Sequence, residues 1–170
     1  MISVEYCQLL ARYNRWMNER IYAAVDEMPD AERKRDCGAW FGSVHRTLNH
    51  ILWGDRMWLG RFTDPPCNVA PYGADMYNEF ATLQRERGAT DTRILDWAGG
   101  LSADWLASTL EYRAAADGKR RRLPAWIADA HLFQHATHHR GQLTTLMKQA
   151  ERDPGITDLP YLPGVVQILD

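Results

Sequence analysis

Six histidines are the residues best equipped for chemistry in this 170-residue chain, and they fall in two places. His45 and His50 lie in one stretch of helical periodicity, and His131, His135, His138 and His139 crowd into another. On a helix turning about 100° per residue, His135 and His139 lie roughly 40° apart. Leu132, Leu143 and Leu146 share that side, so both histidines face the core. A His-x-x-x-His spacing sets two imidazoles one turn apart, where a tetrahedral metal ion can bridge them. His131 and His138 fall toward the margin of the face, as lining of a pocket mouth. Gln142, also near the face, fits a contact behind a ligand or with substrate.

The other stretch offers a third ligand. His45 and His50 lie about 140° apart on a helix and cannot serve one metal together. His50 is the choice because Trp53, Gly54, Met57 and Trp58 are its same-side neighbours, and Trp53 and Met57 then become pocket residues. His45 is assigned to the surface. Three histidines from two helices leave one coordination position open for water or substrate, the layout of a catalytic centre. The competing reading is a set of satisfied core imidazoles, but two unpaired imidazoles buried on one helix are costly.

Other chemistries lack their residues. The histidine pair encloses no Glu, so the metalloprotease motif is absent, and there is no Glu-x-x-His pair for a di-iron bundle. Neither a glycine-rich phosphate loop nor a G-x-S-x-G elbow occurs. Arg140 points away from the histidine face and is expected as a structural partner of Asp55. No carboxylate is placed beside the triad, so a catalytic acid or base is unassigned.

Four helical stretches must position these side chains. The first spans about Val4 to Met28 and is stopped by Pro29; the second follows Gly42, with Ser43 as cap, and closes at Pro65-Pro66. A weaker third stretch covers roughly Ala74 to Ala98, interrupted in pattern at Gly88 and Thr90-Asp91-Thr92 and ended by Gly99-Gly100. Asp117-Gly118, flanked by residues able to extend, predicts a small β-hairpin before the fourth helix. That helix is expected from Pro124, a favoured first-turn residue, to about Gln149. The tail from Glu151, with three prolines, reads as an ordered loop. The expectation is an all-α fold, one domain over residues 1–170, built as a four-helix bundle with a hairpin between helices three and four.

Composition excludes several classes. Twenty basic against twenty-two acidic residues give a net charge of -2, no field to gather nucleic acid or anionic lipid. The run Lys119–Arg122 reads as a solvated turn in preference to an anion grip. No apolar run approaches the eighteen or so residues of a membrane span. Glu5, Arg12 and Arg15 interrupt the N-terminal apolar stretch, which therefore does not read as a secretory signal. Three cysteines without C-x-x-C spacing exclude an even disulfide framework, and a reduced, cytoplasmic protein is expected.

Two segments carry a family resemblance. Leu48-Asn49-His50-Ile51-Leu52-Trp53-Gly54-Asp55-Arg56-Met57-Trp58-Leu59 and His135-Ala136-Thr137-His138-His139-Arg140-Gly141-Gln142 resemble the signature segments of the DinB/YfiT-like family. Tyr13-Asn14-Arg15-Trp16-Met17-Asn18 and Gly155-Ile156-Thr157-Asp158-Leu159-Pro160 are similar to its members as well. The resemblance implies a four-helix bundle, commonly a homodimer, with a divalent metal on three histidines that match His50, His135 and His139. It further implies thiol-dependent transfer or isomerisation. The resulting expectation is a metal-dependent enzyme on a small molecule, a thiol S-transferase, with zinc or nickel and a low-molecular-weight thiol cosubstrate. A non-catalytic metal-binding dimeric stress protein and a metal-dependent hydrolase are the alternatives.

Overall fold

A computed structural model describes residues 2–167, so the first residue and the last three of the expected domain lie outside the description. The long helices are α1 (Val4–Asp26), α3 (Val44–Phe62), α4 (Phe80–Gly99) and α6 (Ala125–Gln149), with short helices α2 (Asp30–Lys34) and α5 (Ala103–Ala107) between them. Strands β1 (Thr109–Arg113) and β2 (Arg120–Pro124) form the antiparallel hairpin, Leu110 opposite Leu123. The fold is the expected four-helix bundle. α1 packs most extensively on α4 and α3 on α6, and α1–α6 and α3–α4 contacts close the ring.

Side-chain caps start three of the helices. Ser3, Ser43 and Ser102 hydroxyls accept from the backbone N–H of Tyr6, Arg46 and Trp105, satisfying donors that have no partner within the helix. The apolar faces then meet inside. Met17, Ile21, Val25, Leu48, Leu52, Leu83, Leu143 and Met147 form one part of the core, and Leu59, Ile94, Leu132 and Phe133 belong to the other. At the side of the core, the buried Cys7 thiol donates to Asp129 Oδ2 at 3.0 Å and ties α1 to α6.

Three expectations about elements need correction. Helix α4 starts at Phe80, not Ala74. Its intended first turn is pulled away by Asn49, whose buried side chain accepts from the N–H of Met76 and Tyr77, both at 2.9 Å, and donates to the Tyr77 carbonyl at 3.0 Å. The helix then runs unbroken through Gly88 and Thr90, where the Thr90 hydroxyl donates back to the Glu86 carbonyl. Pro124 stays extended (ψ 134°) because it pairs with Thr109 as the last residue of β2, so α6 begins one residue later. His45, expected at the surface, is buried: its Nε2 lies 2.9 Å from the Tyr77 carbonyl, under the same strap that Asn49 holds.

Candidate metal centre

α3 and α6 are neighbours in the bundle, and their shared face brings the three selected histidines to one point. His50 Nε2 lies 3.2 Å from Nε2 of His135 and 3.2 Å from Nε2 of His139, and all three nitrogens fall within 4.8 Å of one another. Bonds of 2.0–2.1 Å to a tetrahedral ion set ligand nitrogens about 3.3 Å apart, so two of the three spacings already match a shared cation. Neutral imidazoles cannot satisfy this arrangement alone. One proton serves one facing nitrogen pair, and the third lone pair is left without a donor.

Two of the rings are held from outside. His139 Nδ1 lies 2.8 Å from Gln142 Oε1, so Nδ1 carries the proton, and the Nε2 lone pair is free to point at the other two rings. Gln142 Nε2 in turn lies 3.4 Å from His138 Nε2. Phe41 stacks on His50 with ring centres 3.9 Å apart. His135 depends on a missing side chain: a Cβ on Gly54 would overlap its ring, with Nδ1 only 2.8 Å away. The buried His135 Nδ1 has no partner among the described residues.

Electrostatics favour neutral rings. Burial, with His139 adding repulsion, brings the His50 pKa down to about 4. Burial first, then the neighbouring histidines, brings His135 down to about 3. Burial lowers His139 as well, against the Gln142 hydrogen bond. Unprotonated imidazole is the form that binds a metal ion, and three such donors fit a divalent cation such as zinc, nickel, copper or iron.

A cavity of about 350 Å³ opens over the triad. Among the expected pocket residues, Trp53, Met57 and His131 line it. Trp53 is fixed by its indole N–H, which donates to the Ala70 carbonyl at 2.9 Å, while the His131 ring lies 4.8 Å from Trp58 and 5.7 Å from His135. His138 and Gln142 do not line this cavity; both stand beside or behind His139. Sequence reasoning missed Trp40, Phe41, Tyr72, Tyr112, Arg61 and Ala114 to Ala116 as lining, and Arg121, from the run read as a solvated turn, lines the cavity too. Arg61 had a readable signal, since 50, 54, 57 and 61 follow one helical stripe. The aromatic loop and hairpin residues had none.

On the opposite side of the same two helices lies a buried charge network, in which Asp55 Oδ1 and Arg87 Nε have no hydrogen-bond partner among the described residues. Asp55 Oδ2 accepts from Arg87 Nη1 at 2.7 Å, and Asp91 Oδ1 accepts from Arg87 Nη2 at 2.8 Å and from Asn18 at 2.9 Å. Arg140 was expected to pair with Asp55. It instead donates to Asn14 and to Thr137 Oγ1 (3.1 Å), and Arg87 takes the carboxylate. Burial raises the pKa of both Asp55 and Asp91, with Arg87 opposing it in each case.

Comparison with known proteins finds likeness over most of the chain. The model of the DinB family matches residues 1–165. The chain is 20% identical over 162 residues to Protein DinB of Bacillus subtilis (strain 168), covering 88% of each chain. A crystal structure of a DinB-like protein from Bacillus cereus ATCC 10987 superposes with a TM-score of 0.60 at 21% identity, over 83% of this chain and 91% of that one. At that identity the likeness concerns the fold.

Proposed function

The chain belongs to the DinB family, and from that premise we propose that His50, His135 and His139 hold a divalent metal, zinc or nickel, in an enzyme acting on a small molecule, a thiol-dependent S-transferase. The observation that carries this reading is the convergence of three Nε2 atoms beneath an aromatic-walled cavity. A divalent cation held there would lower the pKa of a ligating thiol and so would supply a thiolate at neutral pH.

The protein's own residues bind and orient. Phe41 and Gln142 fix the rings of His50 and His139, so the open side of the triad faces the cavity. Trp53, Met57 and Trp58 present apolar surface that excludes water from the reacting pair and holds an electrophile against it. The thiol must come from outside, because none of Cys7, Cys37 and Cys67 lines the cavity. No carboxylate lines it among the described residues either, which favours thiolate attack over hydrolysis aided by a carboxylate base. Homodimer formation and a cytoplasmic location belong to the same reading; the mass in solution tests the first.

The experiment is turnover of a panel of electrophiles by zinc- or nickel-loaded protein, with and without bacillithiol, mycothiol or glutathione, beside a His50→Ala/His135→Ala/His139→Ala variant. Thiol-dependent turnover lost in the variant supports the transferase. Turnover without thiol identifies a hydrolase. Bound metal with no turnover, but a melting temperature that falls on stripping, leaves a structural metal.

A further inference from the structure

The cavity's other end is cationic. Arg61 lies on α3 eleven residues beyond His50, about 16 Å along the helix axis. Its guanidinium carbon sits 4.2 Å from the Trp58 ring centre and 4.1 Å from that of Tyr112, sandwiched between aromatic faces. Nη2 donates to the Arg113 carbonyl at 3.2 Å, and no carboxylate pairs with Arg61 among the described residues. Its remaining N–H groups are not sealed in, and the residue lines the cavity.

Arg121 arrives beside it from β2. Its charge is answered by Asp117 Oδ2 at 2.8 Å, which leaves Arg61 as the uncompensated cation of the pair. Burial and the nearby Arg121 charge both weigh against the Arg61 charge, with Tyr112 opposing them. Guanidinium N–H groups held in a fixed plane, without an acid, match a carboxylate in geometry as well as in charge. The lining also carries Trp58, Met57 and Ala114 to Ala116, apolar surface broken by the His131 ring against Trp58.

We propose that Arg61, assisted by Arg121, is the specificity-determining seat for an anionic group of the substrate. The ligand class is therefore an amphiphilic carboxylate: acid on Arg61, apolar body against Trp58 and Met57, reacting atom toward the triad. The last clause rests on the triad being the reacting end; the anion seat itself does not.

The test uses metal-stripped protein near neutral pH, with phenylbutyrate and its uncharged amide as probes in calorimetric titrations. The acid is expected to bind about 10-fold tighter than the amide. That preference should vanish in Arg61→Met, which keeps the stem between the two rings, weaken in Arg121→Met, and persist in His135→Ala. Arg61→Lys retains the charge without the fork and should keep part of the preference, serving as the folded control if Arg61→Met melts early. Equal binding of acid and amide by the wild type overturns the seat, as does a preference that survives Arg61→Met and Arg121→Met combined. Loss in His135→Ala would place the anion on the triad and overturn it too. Acid preference in a protein without thiol turnover would retain the seat and overturn the proposed reaction instead.

Discussion

Two polar clusters flank the α3–α6 pair, and neighbouring residues feed them: His50 and Asp55 on α3, His139 and Arg140 on α6. The network around Asp55 is complete in charge, with Arg87 and Arg140 against Asp55 and Asp91. The triad is made of three like donors with no acid among them. One cluster ties helices together and carries its own counter-charges. The other leaves a lone pair without a donor, a set that a divalent cation would complete. Burial alone therefore does not mark a functional site; an unbalanced donor set does.

The largest effect expected is on the charge-paired side. Asp55→Ala leaves two buried guanidiniums, Arg87 and Arg140, against Asp91 alone and should cost about 3–5 kcal/mol. That corresponds to a fall in melting temperature on the order of 10 °C for a chain of this size, read by thermal denaturation. His135→Ala in metal-stripped protein should change stability far less; equal losses in the two variants would break the comparison. Gly54→Ala comes next. Its methyl group meets the His135 ring, so overpacking of about 1–3 kcal/mol should accompany loss of bound metal, measured by elemental mass spectrometry.

Gln142→Ala sharpens the comparison at smaller scale. Without its support for His139, metal affinity should fall about 10–100-fold in a chelator competition, while metal-free stability stays nearly constant. The smallest effect is a change of slope with pH. His50 and His135 have pKa values of about 4 and 3 in the fold against 6.5 for a free imidazole, so the unfolded chain binds more protons across that window. The metal-free protein should thus lose stability as pH falls below about 6.5. His135→Ala should flatten that loss in urea titrations. Asp129 has the opposite sign, because burial raises its pKa from 3.8 to about 6. Its contribution is full below 3.8 and lost as pH rises through 6, a loss that Asp129→Asn should remove.

The triad was legible because both its helices keep a helical period: wheel angle separates His135 from His138 and His50 from His45, and the same-side neighbours Trp53, Gly54, Met57 and Trp58 select His50. The same period marked the four long helices and the Ser43 cap. What remained hidden came from segments without a period. Phe41, Tyr72 and Tyr112 reach the cavity from two loops and a hairpin, and no spacing links them to a histidine 85 residues from its partner. The burial of His45 and the late start of α4 share one cause, the 76–77 backbone folded over α3, which local propensity cannot register. Arg140 was placed on the correct side of its helix but given the wrong partner, because Arg87 lies on α4 and competes for Asp55 only once the bundle is assembled.

His45, Asn49 and Trp53 stand one turn apart on α3, and each is bonded to a carbonyl of the connection between α3 and α4: Tyr77 twice and Ala70 once. That connection is moored at both ends of residues 71–76, the span that brings Tyr72 to the cavity. Variation within the moored span can rewrite one wall of the binding chamber while the posts on α3, and the histidine between them, stay where they are.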